Sequence, residues 1–254
     1  MKLEKTKLSV NINKIATLRN ARGKNTPDLI YFAKIILKSK ACGLTAHPRP
    51  DERHIRYTDI LELNQLLKNY PNKEFNIEGY PSDNFIDLIK QVKPQQCTLV
   101  PDSPEALTSN AGWSFIKHKP LLKQITQELK SSQIRVSLFL DPFIMNKKQY
   151  TALREISPNR IELYTSAYAE NYKNQSILHQ YKQCANQVNQ LNMQVNAGHD
   201  LNQQNLSELL KTVPQIKEVS IGQALIATAL EEGILNTINK YIKIIDKVFE
   251  ADFL

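Results

Sequence analysis

Eight short apolar runs recur along the chain, each followed by a stretch of helical length and periodicity, and this rhythm limits the folds open to it. The runs are Leu8 to Asn13, Gly43 to His47, Glu74 to Gly79, Gln96 to Pro101, Ile134 to Asp141, Arg160 to Thr165, Gln194 to Gly198 and Glu218 to Gly222. Helices are expected near Asp28 to Lys38, Thr58 to Asn69, Ser82 to Lys90, Lys117 to Lys130, Asn146 to Glu155, Asn174 to Leu191 and Asn202 to Lys211. Two more follow, near Gln223 to Glu232 and Leu235 to Phe249. Strands alternating with helices pair in parallel through right-handed crossovers, and eight such units suggest an α/β fold closed into a TIM (β/α)8 barrel with extra helices. An open doubly wound sheet is the alternative. The phosphate-binding patterns such sheets often carry, GxGxxG and GxxxxGK with Ser or Thr, do not occur. The 254 residues suit a barrel, which commonly takes about 250, and no linker divides them, so one domain over residues 1–254 is expected.

Composition narrows the function classes. With 41% hydrophobic and 23% charged residues, the chain can bury a large core in water. No run approaches the roughly 18 apolar residues of a membrane span. The opening Met1-Lys2-Leu3-Glu4-Lys5-Thr6-Lys7 lacks the apolar stretch of a signal peptide, so a cytoplasmic protein without a membrane partner is expected. Cys42, Cys97 and Cys184 are scattered, with no CxxC spacing, and read as reduced core thiols. A net charge of +8 is compatible with nucleic acid, yet the lysines are spread over many helices instead of forming one stripe, so no nucleic-acid partner is expected. Phosphorylated small molecules satisfy the same electrostatic bias.

The loop His47-Pro48-Arg49-Pro50-Asp51-Glu52-Arg53-His54 leaves the second run. Two imidazoles and two guanidiniums there offer proton exchange near neutral pH and forked donors for phosphate oxygens. A solvated charged turn is the plainer alternative. Strand parity puts Asn11 with Asn13, Thr45 with His47, Asn76 with Glu78, and Ser220 with Gly222 on common faces. In a barrel these polar faces point inward, several of them near the C-terminal strand ends where barrel active sites lie. Neighbouring strands are about 4.8 Å apart, so His47 and Glu78 can share one pocket if strands two and three are adjacent.

A carboxylate inside an apolar strand must be paired or functional, because burying its charge alone is costly. This applies to Glu78 and to Glu162, for which a structural arginine pair is an equal alternative. His199 follows Gly198 at the end of the seventh run, on the same rim. Gly79, Gly198 and Gly222 all stand at strand exits, where positive φ or close approach to a ligand is expected. Gly222 also precedes a helix whose N-terminus is suited to phosphate. His118 and His179 fall in expected helices and read as surface residues.

His47, Glu78 and His199 together have the composition of a metal triad, but no HExxH-like local spacing supports one, and no metal is expected. No GxSxG is present, and no cysteine stands at a strand exit with a histidine after it. Lys14 stays open as an amine nucleophile. Acid and base chemistry by imidazole and carboxylate is the reading that fits these residues best.

Val10-Asn11-Ile12-Asn13-Lys14-Ile15-Ala16-Thr17-Leu18-Arg19-Asn20-Ala21-Arg22-Gly23, the His47 to Ile55 loop, Phe75-Asn76-Ile77-Glu78-Gly79, Asn196-Ala197-Gly198-His199-Asp200 and Ser220-Ile221-Gly222 closely resemble the pyridoxine 5'-phosphate synthase family. The likeness covers nearly the whole chain. It implies a TIM barrel assembled as a homo-octamer, with no cofactor, that condenses 1-deoxy-D-xylulose 5-phosphate with 3-amino-2-oxopropyl phosphate to pyridoxine 5'-phosphate, phosphate and water. By the same resemblance His47 and Glu78 accept protons, His199 donates one, and Glu162 stabilises a transition state. Arg49, His54 and Thr108 match residues that hold the deoxyxylulose phosphate, and Asn11, Arg22, Asp200 and Gly222 match contacts to the amino ketone phosphate. Asn13-Lys14 stand at the xylulose phosphate site, where many members have Asp-His. Gln223 replaces a histidine after Gly222, which leaves an amide donor without an imidazolium charge and implies weaker hold on the amino ketone phosphate. The lid implied by this chemistry is sought in the loops after strands one and four, above all Pro101 to Trp113.

Overall fold

Each strand pairs in parallel with its sequence neighbour, and the first also pairs with the last, so the sheet closes on itself. The computed structural model describes residues 4–101 and 111–250. The strands are β1 (Lys7–Asn11), β2 (Gly43–Ala46), β3 (Glu74–Gly79), β4 (Gln96–Leu99), β5 (Arg135–Leu140), β6 (Arg160–Tyr164), β7 (Gln194–Gly198) and β8 (Ile216–Ile221). The first helices are α1 (Asn13–Asn20), α2 (Leu29–Lys38), α3 (Tyr57–Leu67), α4 (Asp83–Val92) and α5 (Lys119–Ser131). They are followed by α6 (Lys147–Ile156), α7 (Ser166–Glu170), α8 (Gln175–Gln190), α9 (Leu206–Thr212), α10 (Gln223–Glu232) and α11 (Ile234–Glu250). Among the described residues no helix is long and apolar enough to cross a membrane.

The main core lies between barrel and helices. Outward-facing Val10, Leu44, Ile77, Val136, Leu138, Ile161, Val195 and Val219 are all 0% exposed. Each such side chain stabilises the fold by about 1.5–3 kcal/mol relative to an exposed one. Helix starts are set locally: Asp28 caps α2, Ser82 caps α4, and Asn146 with Gln149 forms a reciprocal capping box on α6.

Polar residues fill much of the barrel interior, where branched apolar side chains dominate in most such barrels. Ser9 and Thr45 hydroxyls lie 2.7 Å apart, and Thr98 donates to Asn76 Oδ1 at 3.0 Å. Nearer the strand N-termini, Arg160 donates to Gln96 Oε1 at 2.9 Å and to Glu218 Oε2 at 3.3 Å. Arg135 pairs with Glu74 and reaches Gln96 at 2.9 Å. These buried charges are matched, which is the condition for tolerating them.

Several boundaries differ from the sequence reading. The first strand ends at Asn11 instead of Asn13, because Asn11 Oδ1 accepts the Asn13 backbone N–H at 3.0 Å and turns the chain into α1. That helix was concealed by the strand-like alternation of Val10 and Ile12, and short α7 was also unexpected. The helix expected from Asn202 starts at Leu206, since Asn202 and Asn205 side chains bond each other's backbone in a preceding turn. Cys97 and Cys184 are buried free thiols, and Cys42 is half-buried and free.

Candidate active site

A cavity of about 450 Å³ opens at the C-terminal mouth of the barrel. His47, Glu78, Glu162 and His199 all line it, from β2, β3, β6 and β7 or the residue after each strand. Adjacency of β2 and β3, with Thr45 opposite Asn76, brings His47 and Glu78 to one wall as parity requires. Asn11, Asn13, Lys14, Arg49, His54, Asp200, Gly222 and Gln223 line the same space. Arg22 does not: it is exposed beyond the end of α1. Thr108 lies outside the described residues, as does most of the expected lid. Trp113, at the end of that segment, is 2% exposed, donates to Leu99 O at 2.8 Å and stacks on Tyr80, so it anchors packing. His118 is half-buried beside Trp113, just before α5, and His179 is exposed.

Sequence reasoning missed Thr17, Leu201, Ile221 and Ala224 among the lining residues, while Ser220 lines the cavity as strand parity expects. Thr17 follows Lys14 by one helical turn, a signal available only once α1 is recognised. Arg53 belongs to the basic loop already singled out, where it pairs with Asp51. Gly79 and Gly198 are needed for room, not for positive φ. A Cβ on Gly79 would meet the Phe85 ring, and one on Gly198 would meet the Glu162 carboxylate. Gly222 brings the start of α10 against Asn11, where an added Cβ would lie 3.1 Å from Asn11 Cβ.

Each acid–base group is held by identifiable neighbours. The His47 backbone N–H donates to Asn13 Oδ1 at 3.0 Å. Asn11 Nδ2 donates to Glu78 Oε2 at 3.4 Å. Thr98 lies 3.4 Å from Glu162 Oε2, while Arg160 on the same strand is turned to Glu218, so the alternative of an arginine partner for Glu162 is not realised. His54 accepts the Ile55 backbone N–H on Nδ1 at 2.9 Å, which leaves its proton on Nε2. The His199 ring sits 4.9 Å from Phe139 and 5.1 Å from Tyr164, centroid to centroid.

Burial sets the charge states of these groups. It lowers His47 to about 3, with the positive fields of His54 and Arg49 adding to the effect. Burial lowers His54 to about 4, helped by Arg49 and Lys14. His199 is likewise lowered to about 4 by burial, against a smaller upward pull from Asp200. Burial pushes Glu162 up to about 8, with the Glu218 carboxyl acting in the same sense. The site without ligand therefore holds neutral imidazoles and a neutral carboxylic acid near pH 7.

Two features suit phosphate. Lys14, Arg49, Arg53 and His54 all line the cavity. In addition, α10 begins at Gly222 with no side-chain cap, so its first N–H groups and dipole face the space that Gly222, Gln223 and Ala224 line. Among the described residues no cluster of three or more His, Cys, Asp or Glu side chains has the arrangement of a metal site.

Comparison with known proteins agrees with this geometry. The family model described as pyridoxal phosphate biosynthesis protein PdxJ matches residues 8–247. The pyridoxine 5'-phosphate synthase of Christiangramia forsetii is 48% identical over 242 residues, covering 94% of this chain and 99% of its own. That of Flavobacterium johnsoniae is 47% identical, over 94% of this chain and 98% of its own. The Brucella anthropi protein of the same name is 42% identical, over 93% and 97%. Among solved structures, an archaeal ribulose 1,5-bisphosphate carboxylase/oxygenase aligns with TM-score 0.66 at 9% identity, over 99% of this chain and 62% of its own. The YdjI aldolase from Escherichia coli K12 aligns with TM-score 0.58 at 8% identity, over 97% and 87%. At such identities the structures speak for the barrel alone, whereas the sequence matches run through every strand. The chain belongs to the PdxJ family of pyridoxine 5'-phosphate synthases, enzymes of vitamin B6 biosynthesis.

Proposed function

We propose that the chain condenses 1-deoxy-D-xylulose 5-phosphate with 3-amino-2-oxopropyl phosphate at this cavity, in the cytoplasm and without a metal or cofactor. The observation that carries the reading is the convergence of His47, Glu78, Glu162 and His199 on one cavity flanked by cationic side chains and an uncapped helix N-terminus. An amine must add to a ketone, water and phosphate must leave, and a ring must close, so every stage moves a proton. His47, neutral near pH 7, is able to accept one, and Glu78, steadied by Asn11, accepts a second.

His199 is the donor in this reading. In the ligand-free site it is neutral, so it has to gain its proton as substrate binds. Phosphate dianions brought into the cavity supply the negative field that does this, and Asp200 adds to it. Glu162, kept as a neutral acid, donates a hydrogen bond to an oxygen that gains charge in the transition state. Lys14, Arg49 and His54 hold the xylulose phosphate. Asn11, Asp200, Gly222 and Gln223 hold the amino ketone phosphate, and Asn13 stands with Lys14 at the xylulose phosphate. Arg22 and Thr108 belong to the proposal by family resemblance. One barrel domain over residues 1–254 carries the reaction, and eight copies form the assembly.

Incubating the protein with both ketone phosphates tests the reading: pyridoxine 5'-phosphate and inorganic phosphate form together, and omitting either substrate abolishes both. Conversion of one ketone phosphate alone would indicate an isomerase or aldolase. Binding without conversion would indicate a phosphate-binding protein.

A further inference from the structure

Two consecutive residues at the end of β7 adopt left-handed backbone conformations: His199 has φ 82° and Asp200 has φ 56°. Neither is glycine, and a residue with a side chain is strained in such a conformation and keeps it only where the surroundings impose it. The surroundings here are specific. Buried Thr165, at the exit of β6, directs its hydroxyl to Gly198 O at 2.7 Å and to His199 O, and its backbone N–H donates to Gly198 O at 2.9 Å. Past the kink, Asn205 Nδ2 donates to Asp200 O at 3.1 Å. The carbonyls of three successive residues are thus held by Thr165 and Asn205.

A second set of contacts acts on the ring. Phe139 on β5 and Tyr164 on β6 each lie within about 5 Å of the His199 imidazole and 5.2 Å from each other. Tyr164 is itself steadied where Tyr181 donates to its backbone carbonyl at 2.6 Å. With the backbone turned by Thr165 and the ring bracketed by aromatics, the imidazole faces the cavity that also contains Glu162.

We propose that Thr165, which does not line the cavity, is the positioning residue for His199, holding the strand exit in the left-handed turn that presents the imidazole to substrate. The proposal rests on the reading of His199 as a proton donor. Misplacing a reacting group by about 1 Å can cost a factor of roughly a hundred, so removing the hydroxyl should act on turnover more than on substrate binding.

The test compares kcat and both KM values for Thr165→Val, Thr165→Ser, His199→Asn and the Thr165→Val/His199→Asn pair. Thr165→Val is expected to lower kcat about tenfold to a hundredfold with KM values little changed. Thr165→Ser, which keeps the hydroxyl, should stay within about threefold of wild type. In the His199→Asn background Thr165→Val should add less than about twofold, because a residue acting through His199 has nothing left to position. The His199 ring proton signals should shift in Thr165→Val and keep their place in Thr165→Ser.

Wild-type kcat in Thr165→Val beside a large loss in His199→Asn would overturn the proposal and leave the donor reading standing. Full activity in His199→Asn would overturn the donor reading itself. An equal loss from Thr165→Val in both backgrounds would mean that the hydroxyl serves the fold. Should Thr165→Val not fold, Thr165→Ala is read in the same way, and failure of both to fold while Thr165→Ser folds would also overturn it.

Discussion

The carboxylate of Glu162 occupies space that exists only because residue 198 has no side chain: a Cβ on Gly198 would lie 2.4 Å from Glu162 Oε1. The two residues are neighbours across the β6–β7 pairing, where Tyr164 stands opposite Gly198 and Glu162 opposite Asn196. Gly198→Ala therefore displaces the Glu162 carboxyl tip from its place on the cavity wall. A side-chain tip yields more cheaply than packed backbone, so stability should change by less than about 1 kcal/mol, while kcat should fall at least tenfold because the acid has left its place. Thermal unfolding and turnover check this together. Unchanged values for both would mean that Glu162 has room to move at no cost.

His47 and Glu78 occupy neighbouring strands and are assigned as proton acceptors. His47→Asn and Glu78→Gln keep approximate size while removing proton exchange. Each should lower kcat by about a hundredfold or more, the range for a general acid or base. Single-turnover measurements keep product release from masking the effect. A variant with wild-type turnover under those conditions would lose its assigned role.

Three imidazoles in the ligand-free site, those of His47, His54 and His199, are depressed to between about 3 and about 4. Binding a phosphate dianion among them favours their charged forms, so binding should take up protons. Calorimetry of 1-deoxy-D-xylulose 5-phosphate binding in two buffers of different ionisation enthalpy measures that uptake. About pH 7.5 is suitable, since the phosphate's own second ionisation near pH 6 is then largely complete. The uptake should shrink in His199→Asn, the assigned donor, and persist in His47→Asn, since the assigned acceptor stays neutral. Heats that do not depend on the buffer would contradict substrate-induced charging.

The same shifts make stability depend on pH with a defined sign. Below the ordinary histidine value of 6.5, the unfolded chain gains protons that the three folded imidazoles resist, so stability falls as pH drops towards 4. Glu162 acts oppositely, since burial raises it to about 8. Its folded form keeps a proton that the unfolded chain releases above the ordinary 4.5, so stability also falls as pH rises towards 8. Three groups outweigh one on the acid side, and the ligand-free protein should be most stable near pH 6.5. Urea midpoints at intervals across this range give the curve, and Glu162→Gln should flatten its alkaline side. An alkaline slope identical in the variant would mean that Glu162 is ionised in the folded protein.

Much of the architecture was legible because it rests on local periodicity. Alternation along β1, β2, β3 and β8 placed Val10, Leu44, Ile77 and Val219 against the helices and the polar residues inside, and the structure has that arrangement. The proximity of His47 and Glu78 followed once strands two and three were taken as neighbours. What escaped depends on contacts between distant segments. Nothing near Gly198 reveals that its missing Cβ makes room for Glu162, because the two meet only through the β6–β7 register. Thr165 reads as an ordinary strand-end threonine until the carbonyls of Gly198 and His199 are brought to it. α1 was hidden because Asn11 ends β1 with a side-chain hydrogen bond that no periodicity records. Arg22 falls outside the cavity for the related reason that α1 carries it past the rim.

Arg19 shows how a residue with no contact to the cavity can govern it. Its guanidinium makes a two-pronged pair with Asp59, at 2.6 Å and 2.8 Å, and both side chains are less than a tenth exposed. It also donates to His54 O at 3.3 Å, and neighbouring Asn20 donates to the same carbonyl at 2.8 Å. Asp59 in turn accepts the Arg56 backbone N–H at 2.7 Å, so α1, the basic loop and α3 are tied at one point. Arg19→Met leaves the Asp59 carboxylate buried without its cation, which costs about 3–5 kcal/mol. The freed His54 segment should raise KM for the xylulose phosphate more than it lowers kcat. Pairing the change with Asp59→Leu removes the stranded charge and should recover most of the stability while leaving KM high. Urea unfolding and steady-state kinetics on the three variants check both parts. An Arg19→Met protein within about 1 kcal/mol of wild type would show that the pair is not what holds the loop.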